Sequence, residues 1–228
     1  DDKGLVLPPR VAPTQVIFIP VAVGKADPGP IEERCAQLAS ELAAAGIRAE
    51  VDKRSNYTPG WKYHWWEMKG VPLRIEVGPK DMAAGSCRLV RRRDGVKQDC
   101  QQAGLAAFVS AELDRIHDEM LLKATADRDH GIAKVRDWSE VMPLLKERKL
   151  ILAPWCESPE SEMAIKLATK EASSAEVVEA PPEEGAPALS GAMKSLCIPL
   201  EQPAMAAGTK CFFTGQPAKR WCLFGRSY

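Results

Sequence analysis

Residues 15–21, Gln-Val-Ile-Phe-Ile-Pro-Val, form an apolar run rich in β-branched side chains, with no polar face along most of its length. Such a run suits a strand covered on both sides. The segments after it constrain the topology. Residues 24–30 are a loop rich in Gly and Pro, and Ile31 to Ala45 then carries Ile31, Cys35, Leu38, Ala39 and Leu42 at helical spacing. Pro30 stands near the start of that helix and Gly46 just past its end, as helix punctuation requires. Ile47 to Val51 resumes a strand. Strand, helix and strand in succession make a crossover unit, so the chain is read as α/β with at least one parallel strand pair.

The remaining pattern completes a mixed sheet flanked by helices. Residues 73–78 alternate apolar and polar side chains, Cys87 to Arg93 does the same, and Asp94-Gly95 turns the chain towards Val96-Lys97. A long helix is expected from Leu105 to Asp127. Sheet and helices over about the first 125 residues therefore make one compact α/β domain, and the rest reads as a second domain. In the second, Trp138 to Arg148 and Glu160 to Glu171 read as helices, and Leu150–Ala153, Ser195–Leu200, Cys211–Phe213 and Trp221–Phe224 as strands. Residues 173–191 hold four Glu, three Pro and no basic residue, a composition expected to form a mobile loop.

Composition removes several classes. Lys+Arg and Asp+Glu both total 31, so any basic surface is local. No apolar run approaches the roughly 20 residues that span a bilayer. The chain opens Asp1-Asp2-Lys3 without Met or a signal peptide, and is expected to be cut from something longer. Seven cysteines form no Cys-x-x-Cys pair, and their odd number argues against a disulfide framework. A reducing cytoplasm is the expected location.

The chemistry concentrates in residues 52–81, DKRSNYTPGWKYHWWEMKGVPLRIEVGPKD, read as short elements and turns. Five aromatic residues are interleaved with charges of both signs. Aromatics with Lys and Arg suit single-stranded nucleic acid, where bases stack on rings and phosphates meet cations. Core packing by the tryptophans and a solvated charged face are the competing reading. A second basic cluster, Arg88, Arg91, Arg92, Arg93 and Lys97, is offset locally only by Asp94. Strand alternation would point Arg91 and Arg93 together, towards phosphate.

The order GLVLPPRVAP, then strand–helix–strand, then YTPGWKYHWWEMKGVPLRIEVGPKD, and finally CLFGRSY, resembles class II proline–tRNA ligases of the eukaryote/archaeal type over almost the whole chain. The resemblance implies a class II anticodon-binding domain at 5–125 followed by the family's C-terminal domain, smaller and α+β, at 126–228. It makes residues 1–4 the end of a preceding catalytic domain, which would hold ATP and Mg²⁺ and dimerise the parent. The partner implied is proline tRNA. All proline anticodons carry two guanines, and a guanine offers donors at N1 and N2 and acceptors at O6 and N7. The resemblance assigns Glu67 and Asp81 to the guanine donors, and Arg74, Lys80 and Lys97 to O6, N7 or nearby phosphate. Arg54, Lys62 and Lys69 are additional candidate RNA contacts.

Related enzymes hold zinc with four cysteines in the last domain. Here Cys156 and Cys211 stand at two of those positions, and Ser161 and Phe213 at the other two. A closed structural zinc site needs four N/S ligands. Zinc is therefore not expected, and nothing in the spacing makes Cys197 or Cys222 a substitute. Tyr228 matches a terminus that docks towards the catalytic domain. On this reading the chain alone is catalytically inactive. A free-standing RNA-binding accessory protein is the first alternative, and a metal- or protein-binding structural module the second.

Overall fold

A computed structural model describes residues 1–22, 27–176 and 191–226. They form two compact units, divided between Ala124 and Thr125.

The first unit is built on a five-stranded sheet in the order β2-β1-β3-β4-β5, formed by β1 (Val16–Pro20), β2 (Ala49–Val51), β3 (Leu73–Val77), β4 (Ser86–Arg91) and β5 (Lys97–Gln101). β1 pairs in parallel with β2 and β3, and the other pairings are antiparallel. Helix α1 (Gly29–Ala44) connects β1 to β2, and α2 (Pro59–Met68) connects β2 to β3. The first crossover steps from β1 to one side and the second returns from β2 past β1 to β3, and right-handed connections in opposite directions lie on opposite faces of the sheet.

Pleating sorts the side chains accordingly. Val16, Phe18, Leu73, Ile75, Val77, Cys87 and Leu89 pack with Ile31, Cys35, Leu38 and Leu42 of α1. The same core takes Leu105, Val109, Leu113 and Ile116 from helix α4 (Leu105–His130), a helical stripe. On the reverse face Ile17 and Ile19 meet Val71, Tyr63 and Trp66, so α2 lies over β1. Phe18, fully buried, would cost about 3–5 kcal/mol to truncate to Ala.

Residues 52–81 are therefore more regular than the sequence suggested. Thr58 caps α2 by accepting the Trp61 N–H at 3.3 Å, and Pro59 stands at its first position. Residues 1–4 belong to the first unit: Asp1 pairs with Arg92 at 2.6 Å, and Leu5 N donates to Met68 O at 3.0 Å.

The second unit carries a four-stranded sheet, β6-β7-β9-β8, formed by β6 (Ile132–Lys134), β7 (Leu150–Trp155), β8 (Met193–Cys197) and β9 (Arg220–Arg226). Its core gathers Ile151, Ala153, Trp155, Met193, Cys222 and Phe224 with Val141 and Leu145 of α5 (Val141–Lys146) and Ile165 of α6 (Pro159–Glu176). Trp138–Glu140 is a 3₁₀ turn leading into α5. Three expectations change here. Cys211–Phe213 is a turn, closed by Cys211 N to Gln216 O at 2.7 Å and by Gly215 at φ +70°. β6 was not foreseen, being three residues long. The loop expected at 173–191 starts later, because α6 runs to Glu176. Ser173 Oγ donates within the helix to Thr169 O at 2.8 Å and receives Arg226 Nη2 at 2.9 Å. Residues 177–190 of that expected loop, and Tyr228, lie outside the described residues.

Candidate nucleic-acid interface

Beyond the edge of α2 the reverse face of the first sheet is polar. Strand register lines up Ile19, Glu76, Arg88 and Asp99 in one row across β1, β3, β4 and β5, and Ile17, Arg74, Val90 and Lys97 in the next. The short helix α3 (Pro79–Ala84) adds Lys80 and Asp81 where β3 ends. Val21, Glu76, Gly78, Pro79, Lys80, Asp81, Ser86, Arg88 and Asp99 enclose a cleft of about 560 Å³. It opens at the carboxyl ends of β1 and β3, where the direction of winding reverses, the place where open α/β sheets bind ligands.

The five core candidates are distributed unevenly around this cleft. Lys80 and Lys97 are exposed and have no hydrogen-bond or ion-pair partner among the described residues. Asp81 lines the cleft but also caps α3: its Oδ2 accepts the Gly78 N–H at 2.8 Å, and Oδ1 receives Ser86 Oγ at 3.4 Å. Glu67, near the end of α2, accepts Arg74 Nη1 at 2.9 Å. Arg74 is 9% exposed and held at both ends, since Nε donates to Glu76 Oε1 at 2.9 Å. Its guanidinium lies 4.0 Å from the centre of the Tyr63 ring. Burial, then Glu76, pushes the Tyr63 hydroxyl up to about 12, so this ring stays neutral. Arg74 is thus a buried strut between two carboxylates, not a free cation.

The basic cluster is largely self-neutralised. Arg91 and Arg93 do point together, but onto Glu119, and Arg91 also faces Glu112 at 3.5 Å and Asp94 at 3.1 Å. Arg92 meets Asp1 and donates to Glu67 O at 2.8 Å. These three arginines hold the fold together rather than presenting charge to phosphate. Arg88 differs: half exposed, it lines the cleft and makes a two-bond pair with Asp99, Nε to Oδ1 at 2.8 Å and Nη2 to Oδ2 at 3.3 Å. That hydrogen bond lowers the Asp99 carboxyl and raises the Arg88 guanidinium.

The sequence pattern did not single out Glu76, Ser86 and Asp99, and it placed Arg88 only within the basic cluster. Alternation carried the signal for Glu76, which stands two residues beyond Arg74 on the same face.

The three additional candidates surround α2. Lys62 is buried, with Nζ donating to Asp52 O at 3.0 Å. Arg54 is clamped to Asp52, Nε to Oδ1 at 2.9 Å and Nη2 to Oδ2 at 2.5 Å. It lies 5.0 Å from the Trp61 ring centre and 5.3 Å from that of Tyr57. Tyr57 stacks on Trp61 and Trp61 on Trp65, with ring centres 3.7 and 5.2 Å apart. Exposed Lys69 extends the ladder, 4.8 Å from the Trp65 ring. Spacing of four residues aligns these groups on one side of the helix, whereas Tyr63 and Trp66 face the sheet.

In the second unit, the groups at the expected metal positions do not fit zinc. Ser161 accepts Trp155 Nε1 at 2.7 Å and the Cys156 thiol at 3.4 Å, and donates to Ser158 O at 2.7 Å. Its hydroxyl is fully engaged. Phe213 packs edge-on against Trp138, ring centres 4.6 Å apart. Only the Cys156 and Cys211 thiols remain at these four positions, too few for a closed site. No cluster of three or more His, Cys, Asp or Glu able to hold a metal occurs among the described residues. Nor is any described helix long and apolar enough to cross a membrane.

Comparison with known proteins gives this architecture relatives. Residues 15–112 match the family described as "Anticodon binding domain", and residues 138–228 the one described as "Prolyl-tRNA synthetase, C-terminal". The chain is 46% identical over its whole length to the cytoplasmic proline–tRNA ligase of Arabidopsis thaliana, covering 40% of that protein. It is 42% identical to the bifunctional glutamate/proline–tRNA ligase of Drosophila melanogaster, covering 13% of it, and 38% identical to the proline–tRNA ligase of Encephalitozoon cuniculi, covering 44%. The chain thus spans less than half the length of these relatives and aligns with them end to end of its own. It belongs to the prolyl-tRNA synthetase family, carrying an anticodon-binding domain followed by the family's C-terminal domain.

Proposed function

We propose that this chain recognises the anticodon loop of proline tRNA, on behalf of an enzyme that attaches proline to that tRNA. The supporting observation is the cleft at the carboxyl ends of β1 and β3, where Glu76, Asp81 and Asp99 alternate with Lys80 and Arg88. A guanine needs carboxylate acceptors for N1–H and N2–H and cationic donors for O6 and N7. Both kinds of group converge here. Glu67, held by Arg74, borders the cleft row, and Lys97, which has no side-chain partner among the described residues, lies on the same face over β5. Lys80 and Lys97, as mobile point charges, suit the phosphates flanking the bases.

In this reading the ATP- and Mg²⁺-dependent attachment of proline belongs to a catalytic domain outside these residues. This chain partners that domain in a cytoplasmic homodimer and has no activity alone. The test uses the whole chain and two labelled pieces of proline tRNA, the anticodon stem-loop and the acceptor-stem minihelix. Binding of the stem-loop at least about tenfold tighter, a difference of about 1.4 kcal/mol, supports the reading. Equal binding of both would reduce it to general attraction for phosphate.

A further inference from the structure

We propose that Arg88, oriented by Asp99, is the residue that reads the O6/N7 edge of an anticodon guanine, and that Arg74 is a positioning residue. The inference rests on the anticodon reading above and assigns a specificity contact within it.

Burial and pairing geometry separate the two arginines, since each donates two of its N–H groups to carboxylates. A guanidinium has five N–H donors, one on Nε and two on each Nη. Arg74 donates from Nε to Glu76 and from Nη1 to Glu67, lies against Tyr63 and is almost wholly buried. To reach a base it would have to break two charge-assisted hydrogen bonds and leave two carboxylates uncompensated. Arg88 is engaged differently. Asp99 takes Nε and one Nη2 proton, a side-on pairing that occupies one edge of the plane. The end-on fork, with both Nη1 protons and the second Nη2 proton, has no acceptor among the described residues.

That fork is the shape that O6 and N7 of guanine accept bidentately. The arginine side chain is 50% exposed and lines the cleft, so a base can approach it without unfolding anything. Asp99 restricts the rotation of a long side chain, lowering the ordering cost of the contact. Its partner row supplies the complement: Glu76 stands directly opposite Arg88 on β3, and Asp81 borders the same cleft. Lys80 and Lys97 provide charge without a fork, so neither replaces Arg88 in reading two acceptors at once.

The test substitutes 7-deazaguanine, which lacks the N7 acceptor, for each anticodon guanine in turn in a labelled proline stem-loop. The whole chain should bind one of the two loops about tenfold more weakly than the native loop, as a contact of this class implies. Arg88→Ala should bind the native loop about that much more weakly and no longer distinguish it from the 7-deazaguanine loop. Arg88→Lys should keep the salt dependence of binding yet share this insensitivity, because charge survives and the fork does not. Asp99→Asn should lose part of the preference. Retention of the full 7-deazaguanine penalty by Arg88→Ala, or restoration of guanine preference by Arg88→Lys, would overturn the proposal and leave the anticodon reading standing. If the unaltered chain fails to prefer the guanine loop over one carrying cytosines, both readings fall.

Discussion

Asp52 offers the sharpest test of how the first unit is held together. It is 3% exposed at the end of β2. Its carboxylate accepts Arg54 N at 3.1 Å, Arg54 Nε at 2.9 Å, Arg54 Nη2 at 2.5 Å and Trp66 Nε1 at 2.8 Å, and Lys62 Nζ lies 3.8 Å away. Burial alone would raise this carboxyl, but hydrogen bonds from Arg54 and Trp66 and the Lys62 charge hold it at about 2, against an ordinary 3.8. Asp52→Ala leaves the Trp66 N–H without its acceptor and the buried Lys62 ammonium without its counter-charge. We expect a loss of about 3–5 kcal/mol, the usual cost of removing one partner from a buried pair. The pH dependence arises from the same contacts. A carboxyl depressed in the folded state contributes stability that is complete above about pH 4 and lost as pH falls towards 2. The shift is nearly two units, so that contribution is about 2 kcal/mol. Urea unfolding of the unaltered chain and of Asp52→Asn, followed by tryptophan fluorescence between pH 5 and 2, reads it as a difference. The stability gap between the two should narrow by about 2 kcal/mol as the pH drops. Parallel curves would show that Asp52 is not an ionised hub, and the account of α2 docking through it would fail.

Other contacts give further expectations. Arg74→Lys should lower urea stability by about 1–3 kcal/mol without any RNA present, because an ammonium cannot bridge Glu67 and Glu76 across Tyr63; unchanged stability would contradict its role as a strut. Gly70 has φ +72°, and an added Cβ would lie 2.7 Å from the Leu5 Cβ, so Gly70→Ala should cost at least about 1 kcal/mol in the same unfolding assay. Ser161→Ala removes the acceptor for Trp155 Nε1 and should cost about 1–3 kcal/mol. Elemental analysis of the unaltered chain purified from zinc-containing medium should find no stoichiometric zinc; one zinc per chain would overturn the reading of Cys156, Ser161, Cys211 and Phe213.

The first crossover unit was legible because its signals are local. An apolar run, a helical stripe from Ile31 to Leu42, and Pro and Gly at the helix ends all agree within some 35 residues. α2 was harder because its aromatics encircle the helix: Tyr63 and Trp66 go inward, Trp61 and Trp65 outward, so no apolar stripe forms. Thr58 followed by Pro59 was the available mark of its start. The arginine cluster misled for a different reason. Its counter-charges are distant in sequence, Glu119 for Arg91 and Arg93 and Asp1 for Arg92, and local charge counting cannot see them. Of the candidate site, the sequence named Lys80 and Asp81, just beyond β3. The other half of that site needed the register of β4 and β5, which brings Arg88 and Asp99 alongside Glu76. The apolar Cys211–Phe213 segment looked like a strand because periodicity cannot tell a short buried turn from one.

On the proposed function, this chain reads guanines rather than merely attracting phosphates. The most direct test is fluorescence anisotropy of a labelled proline anticodon stem-loop titrated with the whole chain at fixed moderate salt, beside a loop carrying cytosines in place of the two guanines. The native loop is expected to bind at least about tenfold tighter, roughly 1.4 kcal/mol. Equal affinity for the two loops, or no binding of either, would contradict it.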